Sequence, residues 1–163
     1  MDTVKIIEGD GRAAGHRFAL VVAQYHDFVT NRLQAGALAA LAASGAGPDG
    51  IVIVRVPGAW EIPVAAQHAA ESGDFDAIIC IGCLIRGETA HAGYIASAVA
   101  GSLAAAAGAT GVPITFGVLT TNSAEEALAR AGDGPSNKGH EAAVAAIQMA
   151  SVVAQLTRLP APS

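Results

Sequence analysis

The sequence predicts an α/β protein with a parallel β-sheet covered by helices on both faces. Four apolar runs rich in β-branched residues, at 17–24, 51–56, 77–85 and 113–119, have the unbroken hydrophobicity of buried parallel strands. Ala-rich segments with helical spacing lie between these runs, so strand and helix alternate four times. Apolar residues make up 52% of the chain but aromatic residues only 4%, which suits close packing of helices on a sheet.

The helices are predicted from the spacing of apolar residues. In the first helix, Val29, Leu33, Ala37 and Leu41 recur four residues apart and form one apolar face. An Ala-rich segment, 92–107, continues the helical pattern after the third strand. Both segments are therefore expected to pack on the sheet.

Two further helices close the chain. Ser123 and Glu126 have the spacing of a capping box and begin a short helix, and residues 140–156 predict the last one. The segment between them is rich in Gly, Pro and Asn and predicts a loop. We expect a single domain over 1–163, with a core at about 17–157, a flexible N-terminal arm and a C-terminal tail that frays.

Charge and hydropathy exclude several classes of partner. The formal net charge is −5 and no Lys/Arg cluster is present, which argues against nucleic-acid binding. The N-terminal sequence lacks the basic and apolar regions of a signal peptide. We also expect no apolar run as long as the roughly 18 residues that a membrane span needs. These observations predict a cytoplasmic protein without a membrane partner.

Two short motifs match familiar sites but stand in the wrong context. The run "GAGPDG", 45–50, fits G-x-G-x-x-G, yet it follows a helix and precedes a strand, whereas a dinucleotide site needs the reverse order. Cys80 and Cys83 form C-x-x-C inside an apolar strand, where side chains three apart point to opposite faces. We therefore interpret 45–50 as a turn and the cysteines as buried small hydrophobes.

Polar residues follow the third strand in "IRGETAH". Ligands bind outside the carboxyl ends of parallel strands, where helix N-termini present unpaired N–H groups that suit phosphate. Glu88 and Thr89 lie in this turn, and His91 falls in the first turn of the next helix. Histidine suits proton transfer near neutral pH, although a structural role for His91 is equally compatible with its position alone.

The ends of the first two strands supply further candidates for the same crevice. Tyr25 and His26 follow the first strand. After the second strand, Gly58 permits a tight turn and Glu61 begins a helix with Pro63 in its first turn. Glu61 also fits a role as a partner of the helix dipole.

Several ordered motifs resemble those of the lumazine synthase family. They are "VPGAWEIP", "IRGETAH", "FGVLTTNSAEEALARAG" and "NKGHEAAVAAIQMA", and the resemblance runs from about 17 to 156. It implies a flavodoxin-like fold with a four-stranded parallel sheet, and an N-terminal strand, "VKIIEG", that joins a neighbouring subunit. It also implies pentamers with active sites between adjacent subunits, and in some members a 60-subunit icosahedral shell. The short loop "RAGDGPSNKG" favours the shell, and association with riboflavin synthase is a further expectation.

The resemblance also implies a reaction. Members of the family condense 5-amino-6-(D-ribitylamino)uracil with 3,4-dihydroxy-2-butanone 4-phosphate, giving 6,7-dimethyl-8-ribityllumazine, phosphate and water in riboflavin biosynthesis. They require neither a metal nor a redox cofactor, so we expect none here. Proton transfer, phosphate binding and orientation of the reactants are the tasks that remain for the protein.

Site residues carry over by position in the matching motifs. His91 matches the proton-transferring histidine. Glu88 and Thr89 match the phosphate-binding turn, and Arg130 matches the arginine that reaches the same phosphate, although by itself Arg130 resembles a solvated residue of a last helical turn. Ten further positions match the binding of the pyrimidine and its ribityl chain, with Phe116 contributed by the neighbouring subunit: Tyr25, His26, Ala59, Trp60, Glu61, Cys83, Leu84, Ile85, Phe116 and Lys138.

One departure from the family pattern leaves alternatives open. The family usually has an aromatic and then an acidic residue after its histidine, whereas this chain has Ala92 and Gly93. The loss of packing and of an acidic neighbour of His91 favours, as a second hypothesis, a shell-forming or flavin-binding homologue with weak catalysis. A third hypothesis, an unrelated phosphate-handling enzyme of doubly wound fold, rests on the strand ends alone.

Overall fold

Strands and helices alternate along residues 3–161, the part of the chain that the computed structural model describes. Each predicted strand is present, and the predicted helices lie between and after the strands. The bounds are β1 Phe18–Ala23, α1 Asp27–Ala43, β2 Ile51–Val56, α2 Ile62–Glu71, β3 Ala77–Ile85, α3 His91–Thr110, β4 Ile114–Thr121, α4 Ala124–Ala129 and α5 Lys138–Thr157.

The four strands form one parallel sheet in the order β2–β1–β3–β4. Residue Phe18 of β1 pairs with Ile51 of β2 on one side and with Ala77 of β3 on the other. Every residue of β1 is buried, in keeping with its place inside the sheet. Because all strands run the same way, their carboxyl ends meet at a single edge.

Helices cover both faces of the sheet, so the predicted three-layer α/β architecture of flavodoxin-like type is confirmed. Helices α1, α4 and α5 pack on one face, and α2 and α3 pack on the other. The predicted apolar face of α1 is the one that packs, since Val29, Leu33, Ala37 and Leu41 are each fully buried. The run 45–50 is a turn, as expected, and ends in a short 3-10 helix at Pro48–Gly50.

Helices α1 and α5 approach each other closely at glycines. A Cβ atom at Gly139 would collide with the backbone of Leu33, and one at Gly36 would collide with the side chain of Asn137. Asn137 is 3% exposed and caps α5: its Oδ1 accepts from the N–H groups of Gly139 (2.8 Å) and His140 (3.1 Å). Its Nδ2 donates to two backbone carbonyls, those of Arg32 (3.2 Å) and Gly132 (2.9 Å).

Helix α3 corrects one expectation from the sequence. It is long and apolar enough to cross a membrane, with a mean hydropathy of 1.4, so the statement that no segment reaches this length is wrong. The reason is its composition: Ala predominates, accompanied by single Tyr, Ile, Val and Leu residues and by Gly, Ser and Thr, without Asp, Glu, Lys or Arg. Length and composition are weak evidence, since core helices of soluble proteins meet the same criterion. Only 17% of its most apolar stretch is buried within the chain.

The N-terminal arm runs along α5 without regular secondary structure. The side chain of Gln155 donates to the carbonyl of Glu8 (2.6 Å), and the N–H of Asp10 donates to Ser151 (3.3 Å). Within residues 3–161 the segment 4–9 pairs with no strand, so its pairing with a neighbouring subunit stays a prediction. In the tail, residues 159–161 are irregular, and the part of the expected fraying that concerns 162 and 163 lies outside the described residues.

We predict that Asn137→Ala lowers the free energy of unfolding by about 2–4 kcal/mol. The change removes the cap of α5 and leaves buried N–H and C=O groups without partners. Urea denaturation measures the loss. The matched control is Asn31→Ala on the exposed side of α1, which should change stability by no more than about 0.5 kcal/mol. Equal effects of the two changes would contradict a stabilising role for the Asn137 bonds.

Candidate active site

A cleft of about 510 Å³ lies at the sheet edge where the carboxyl ends of β1, β2 and β3 meet. Residues from the turns after these strands and from the first turns of α3 form its walls. Ten of the residues predicted from the sequence line it: Tyr25, His26, Ala59, Trp60, Glu61, Cys83, Leu84, Ile85, Thr89 and His91.

The turn after β1 presents an aromatic ring to the cleft. The N–H of Tyr25 donates to the carbonyl of Pro57 (2.9 Å), which ties this turn to the turn after β2. Tyr25 is 68% exposed, so its ring is available to a ligand. His26 has a left-handed backbone, φ 60°, which is uncommon for a residue other than glycine, and its ring lies 4.5 Å from that of Tyr25. The left-handed residue turns the chain sharply between β1 and α1 and keeps both rings at the cleft.

The turn after β2 brings a carboxylate to the cleft. Residues Ala59–Glu61 form a 3-10 turn that leads into α2, and Pro63 lies in the first turn of α2 as predicted. A Cβ atom at Gly58 would lie 3.2 Å from Oε2 of Glu61. Gly58 itself is extended, with φ −150°, so the close approach of this carboxylate, rather than a tight turn, is what glycine accommodates. Trp60 is 61% exposed beside it.

The turn after β3 places His91 at the start of α3. The N–H of Arg86 donates to the carbonyl of Thr121 (2.7 Å), which fixes the end of β3 against the end of β4. The hydroxyl of Thr89 accepts from the N–H of His91 (3.4 Å). Thr89 and His91 line the cleft and are exposed. Glu88, the other residue of the predicted phosphate turn, is exposed but does not line the cleft. The predicted position of His91 in the first helical turn is confirmed.

The two cysteines point to opposite faces of the sheet, as their spacing predicts. Cys80 packs between the sheet and α2 and α3, whereas Cys83 packs toward α1 and α5. Burial raises the pKa of both thiols, that of Cys83 to about 11. Cys83 lines the cleft but is only 2% exposed, so its contribution to the wall is mainly backbone. Within residues 3–161, no group of three or more His, Cys, Asp or Glu side chains is placed to hold a metal ion.

Three predicted site residues lie on a different surface. Phe116, Arg130 and Lys138 line a hollow of about 410 Å³ between β4 and α5, which shares no lining residue with the cleft. We call it the β4 surface. Phe116 is 47% exposed, and β4 is an edge strand of the sheet. One chain therefore does not bring these residues together with His91.

The charged residues of the β4 surface are Arg130, at the C-cap of α4, and Lys138 and Glu141, in the first turn of α5. The guanidinium of Arg130 donates to the carbonyl of Glu126 (3.2 Å), and the ammonium of Lys138 lies 2.8 Å from the carboxylate of Glu141. The N–H of Lys138 donates to the carbonyl of Arg130 (2.9 Å), which closes the loop.

The predicted cap of α4 is present, with one difference. Ser123 accepts from the N–H of Glu126 (3.1 Å), as in a capping box. The carboxylate of Glu126 bonds instead to the N–H of Asn122 (2.9 Å), one residue earlier than the reciprocal bond of the motif.

Some residues of the cleft were missed by the sequence reasoning. Arg86, Gly87, Ala92 and Ile95 line it in addition to the predicted residues. Arg86 lies in "IRGETAH", immediately after the predicted strand. Its position at the carboxyl end of that strand could have predicted that it lines the cleft.

The fold and the cleft together define a class of protein. A doubly wound parallel sheet binds ligands at its carboxyl edge, and here that edge combines an aromatic ring, a carboxylate and a histidine at a helix N-terminus. These groups suit an enzyme that holds a small polar molecule and transfers protons.

Comparison with known proteins identifies the family. The family model described as 6,7-dimethyl-8-ribityllumazine synthase matches residues 15–154. A protein of that name from Salinibacter ruber is 49% identical over 150 residues, which cover 92% of this chain and 96% of the relative. Another of that name, from Desulfatibacillum aliphaticivorans, is 43% identical over 151 residues, covering 93% and 97%. The chain belongs to the 6,7-dimethyl-8-ribityllumazine synthase family, and the hypothesis of an unrelated phosphate-handling enzyme is wrong.

We predict that the thiol of Cys83 ionises with a midpoint near pH 11 in the folded protein, against 9.0 without burial. The folded state holds this proton more tightly than the unfolded chain does. The free energy of unfolding is therefore independent of this thiol below pH 9 and falls as the pH rises from 9 toward 11. The rate of iodoacetamide alkylation against pH, in a Cys80→Ala variant, measures the midpoint. The same chain in urea is the control, and a midpoint near 9 in both states would contradict burial of this thiol.

Proposed function

We propose that the protein catalyses the condensation of 5-amino-6-(D-ribitylamino)uracil with 3,4-dihydroxy-2-butanone 4-phosphate, forming 6,7-dimethyl-8-ribityllumazine, phosphate and water. The observation that carries the proposal is the cleft at the carboxyl edge, in which Tyr25, Glu61, Thr89 and His91 line one space in a member of this family. No metal or redox cofactor enters the proposed reaction.

Each wall of the cleft suits one task. Tyr25 offers an exposed ring on which a pyrimidine can stack, and Glu61 can accept from ribityl hydroxyls. The backbone of Cys83–Ile85 can bond the uracil edge at the end of β3. An amine of the pyrimidine attacks the ketone and water leaves to give an imine. Elimination of phosphate then leaves an enol, which tautomerises to a ketone. The second amine attacks this ketone, and a second water leaves as the ring closes.

His91 is proposed to move protons in these steps. It lies at the start of α3, beside the turn at Glu88 and Thr89 whose backbone can bind the phosphate. An imidazole at this point can accept the proton of an attacking amine and return it to a departing oxygen. Holding both reactants in one cleft supplies further acceleration.

We propose that a second copy of the chain completes the site. Phe116, Arg130 and Lys138 match site residues of the family but line the β4 surface, away from the cleft of their own chain. A head-to-tail contact that places the β4 surface of one chain on the cleft of the next would bring Arg130 to the phosphate and Phe116 to the pyrimidine. Repetition of such a contact around an axis gives a closed ring.

The uncovered surface of α3 supports assembly. A helix without a charged residue, of which little is buried within its own chain, is stabilised by contact with other chains. We propose a pentamer, and a 60-subunit shell because the loop between α4 and α5 is short. Association with riboflavin synthase and a cytoplasmic location are proposed on the family resemblance alone.

We predict that the wild-type protein forms the lumazine well above the spontaneous rate and that His91→Ala lowers kcat by about 10- to 100-fold. Product absorbance with both substrates measures the rates, and sedimentation checks that the variant assembles normally. His68→Ala, at the far end of α2, is the control and should behave as the wild type. An assembled wild-type protein that binds the pyrimidine but forms no product would favour the weakly catalytic shell or flavin-binding homologue.

We predict that two kinds of weakened chain regain activity when they assemble together. Arg130→Ala removes the β4-surface half of a site and His91→Ala removes the cleft half, so about a quarter of the sites in a random mixture keep both residues. Co-expression with two affinity tags yields the mixed oligomer, and its turnover is compared with the sum of the separate variants. His91→Ala mixed with the double variant is the control. No gain over the sum would mean that both residues act within one chain.

A further inference from the structure

Three aromatic rings are in contact at the start of α1, beside the cleft. The ring centroids of Tyr25 and His26 are 4.5 Å apart, at an angle of 58° between the ring planes. Those of His26 and Phe28 are 5.8 Å apart at 89°, an edge-to-face arrangement. Both distances are in the range of favourable contacts between aromatic rings. We call Tyr25, His26 and Phe28 the aromatic row.

The ring of Tyr25 has little other support. It is 68% exposed, and within residues 3–161 its one aromatic neighbour is His26. The bond from its N–H to the carbonyl of Pro57 fixes the backbone but leaves the side chain free to rotate. A free side chain must be ordered when a ligand binds, and the lost entropy weakens binding. A contact that already holds the ring therefore favours binding of a flat ligand.

The backbone at position 26 restricts which residue can stand there. His26 has φ 60° and ψ 48°, and its carbonyl accepts from the N–H groups of Val29 (2.9 Å) and Thr30 (3.1 Å) at the start of α1. Apart from glycine, this left-handed region favours Asn, Asp and His. Histidine is the one residue of these three that carries an aromatic ring. It therefore permits both the left-handed turn and the contact with Tyr25.

Phe28 contacts the aromatic row but not the cleft. It lies in the first turn of α1, is 45% exposed, and lines neither the cleft nor the β4 surface. Its edge-to-face contact restricts the ring of His26, and that ring in turn contacts Tyr25. Phe28 is thus connected to the cleft through His26.

We propose that His26 and Phe28 are positioning residues, which hold the ring of Tyr25 in place to stack on the pyrimidine. The family resemblance assigns His26 to contact with the substrate itself and assigns nothing to Phe28. Here the ring of His26 acts through Tyr25, and Phe28 acts through His26. The effect on substrate binding rests on the proposed function, but the support of the Tyr25 ring does not.

Titration of the assembled protein with 5-amino-6-(D-ribitylamino)uracil, without the ketone, tests the role of Phe28. We expect Phe28→Leu to weaken binding about three- to ten-fold, because the ligand must then order the Tyr25 ring. Phe28→Tyr keeps the ring and should bind within about 1.5-fold of the wild type, as should Asn31→Ala on the exposed side of α1. Wild-type affinity in Phe28→Leu, or an equal loss in Phe28→Tyr, would overturn the proposal.

A second variant separates the ring of His26 from its backbone. His26→Asn removes the ring but keeps a polar side chain and a residue type that accepts the left-handed conformation. It should weaken pyrimidine binding by about the same factor as Phe28→Leu, with normal assembly. The double variant should be no weaker than His26→Asn alone, because both changes break one chain of contacts. Losses that multiply in the double variant would show that Phe28 acts independently of His26 and would contradict the proposal.

Kinetics and structure distinguish failure of this proposal from failure of the proposed reaction. Phe28→Leu should raise the KM for the pyrimidine and leave kcat unchanged, whereas a lower kcat with an unchanged KM would overturn a positioning role. If the wild type binds the pyrimidine but forms no product, the reaction fails and the titrations still decide. If the wild type does not bind it, crystal structures of the ligand-free proteins decide. We expect the Tyr25 ring to be displaced or disordered in Phe28→Leu, and a ring that keeps its position and order there would refute the proposal.

Discussion

Parallel pairing of the four strands is the constraint on which the rest of the structure depends. Because β1 pairs in parallel with both β2 and β3, the residues after these strands meet at one edge. That edge joins Tyr25, Glu61 and His91, which are far apart in sequence. Parallel strands also require a crossover after each strand, and the crossover helices bury both faces of the sheet. Core and cleft are thus consequences of one pairing pattern.

The candidate site residues lie on two separate surfaces. One is the cleft at the carboxyl ends of β1, β2 and β3, and the other is the β4 surface. Strand β4 is an edge strand, and its outer side, with α5, carries Phe116 and Lys138. The buried cap at Asn137 fixes the start of α5 and thereby the position of Lys138. The proposed contact between chains would link catalysis to assembly, since its loss would separate the two halves. Helix α3, which has no Asp, Glu, Lys or Arg and is little buried within its own chain, is the surface that the proposed assembly would cover.

The pair Ala92 and Gly93 shows how a loss of packing can change a site. Glycine within a helix costs about 0.5–1 kcal/mol relative to alanine in the helix interior. Ala92 and Gly93 also leave open space beside His91. That space adjoins Arg86, a cation without an ionic partner in residues 3–161. The substitution pattern that suggests weaker catalysis therefore also leaves an open space beside the proposed proton-transfer group.

The sequence by itself determined the strands, the helices and most of the cleft. Unbroken β-branched runs predict buried strands, the i+4 spacing from Val29 to Leu41 predicts the buried face of α1, and parallel strands place the residues that follow them at one edge. Only the tertiary structure decided the strand order β2–β1–β3–β4, the separation of Arg130 from His91, and the cavity of about 350 Å³ that Ala92 and Gly93 line. These features depend on which elements become neighbours in space, and local hydrophobic periodicity carries no information about that choice.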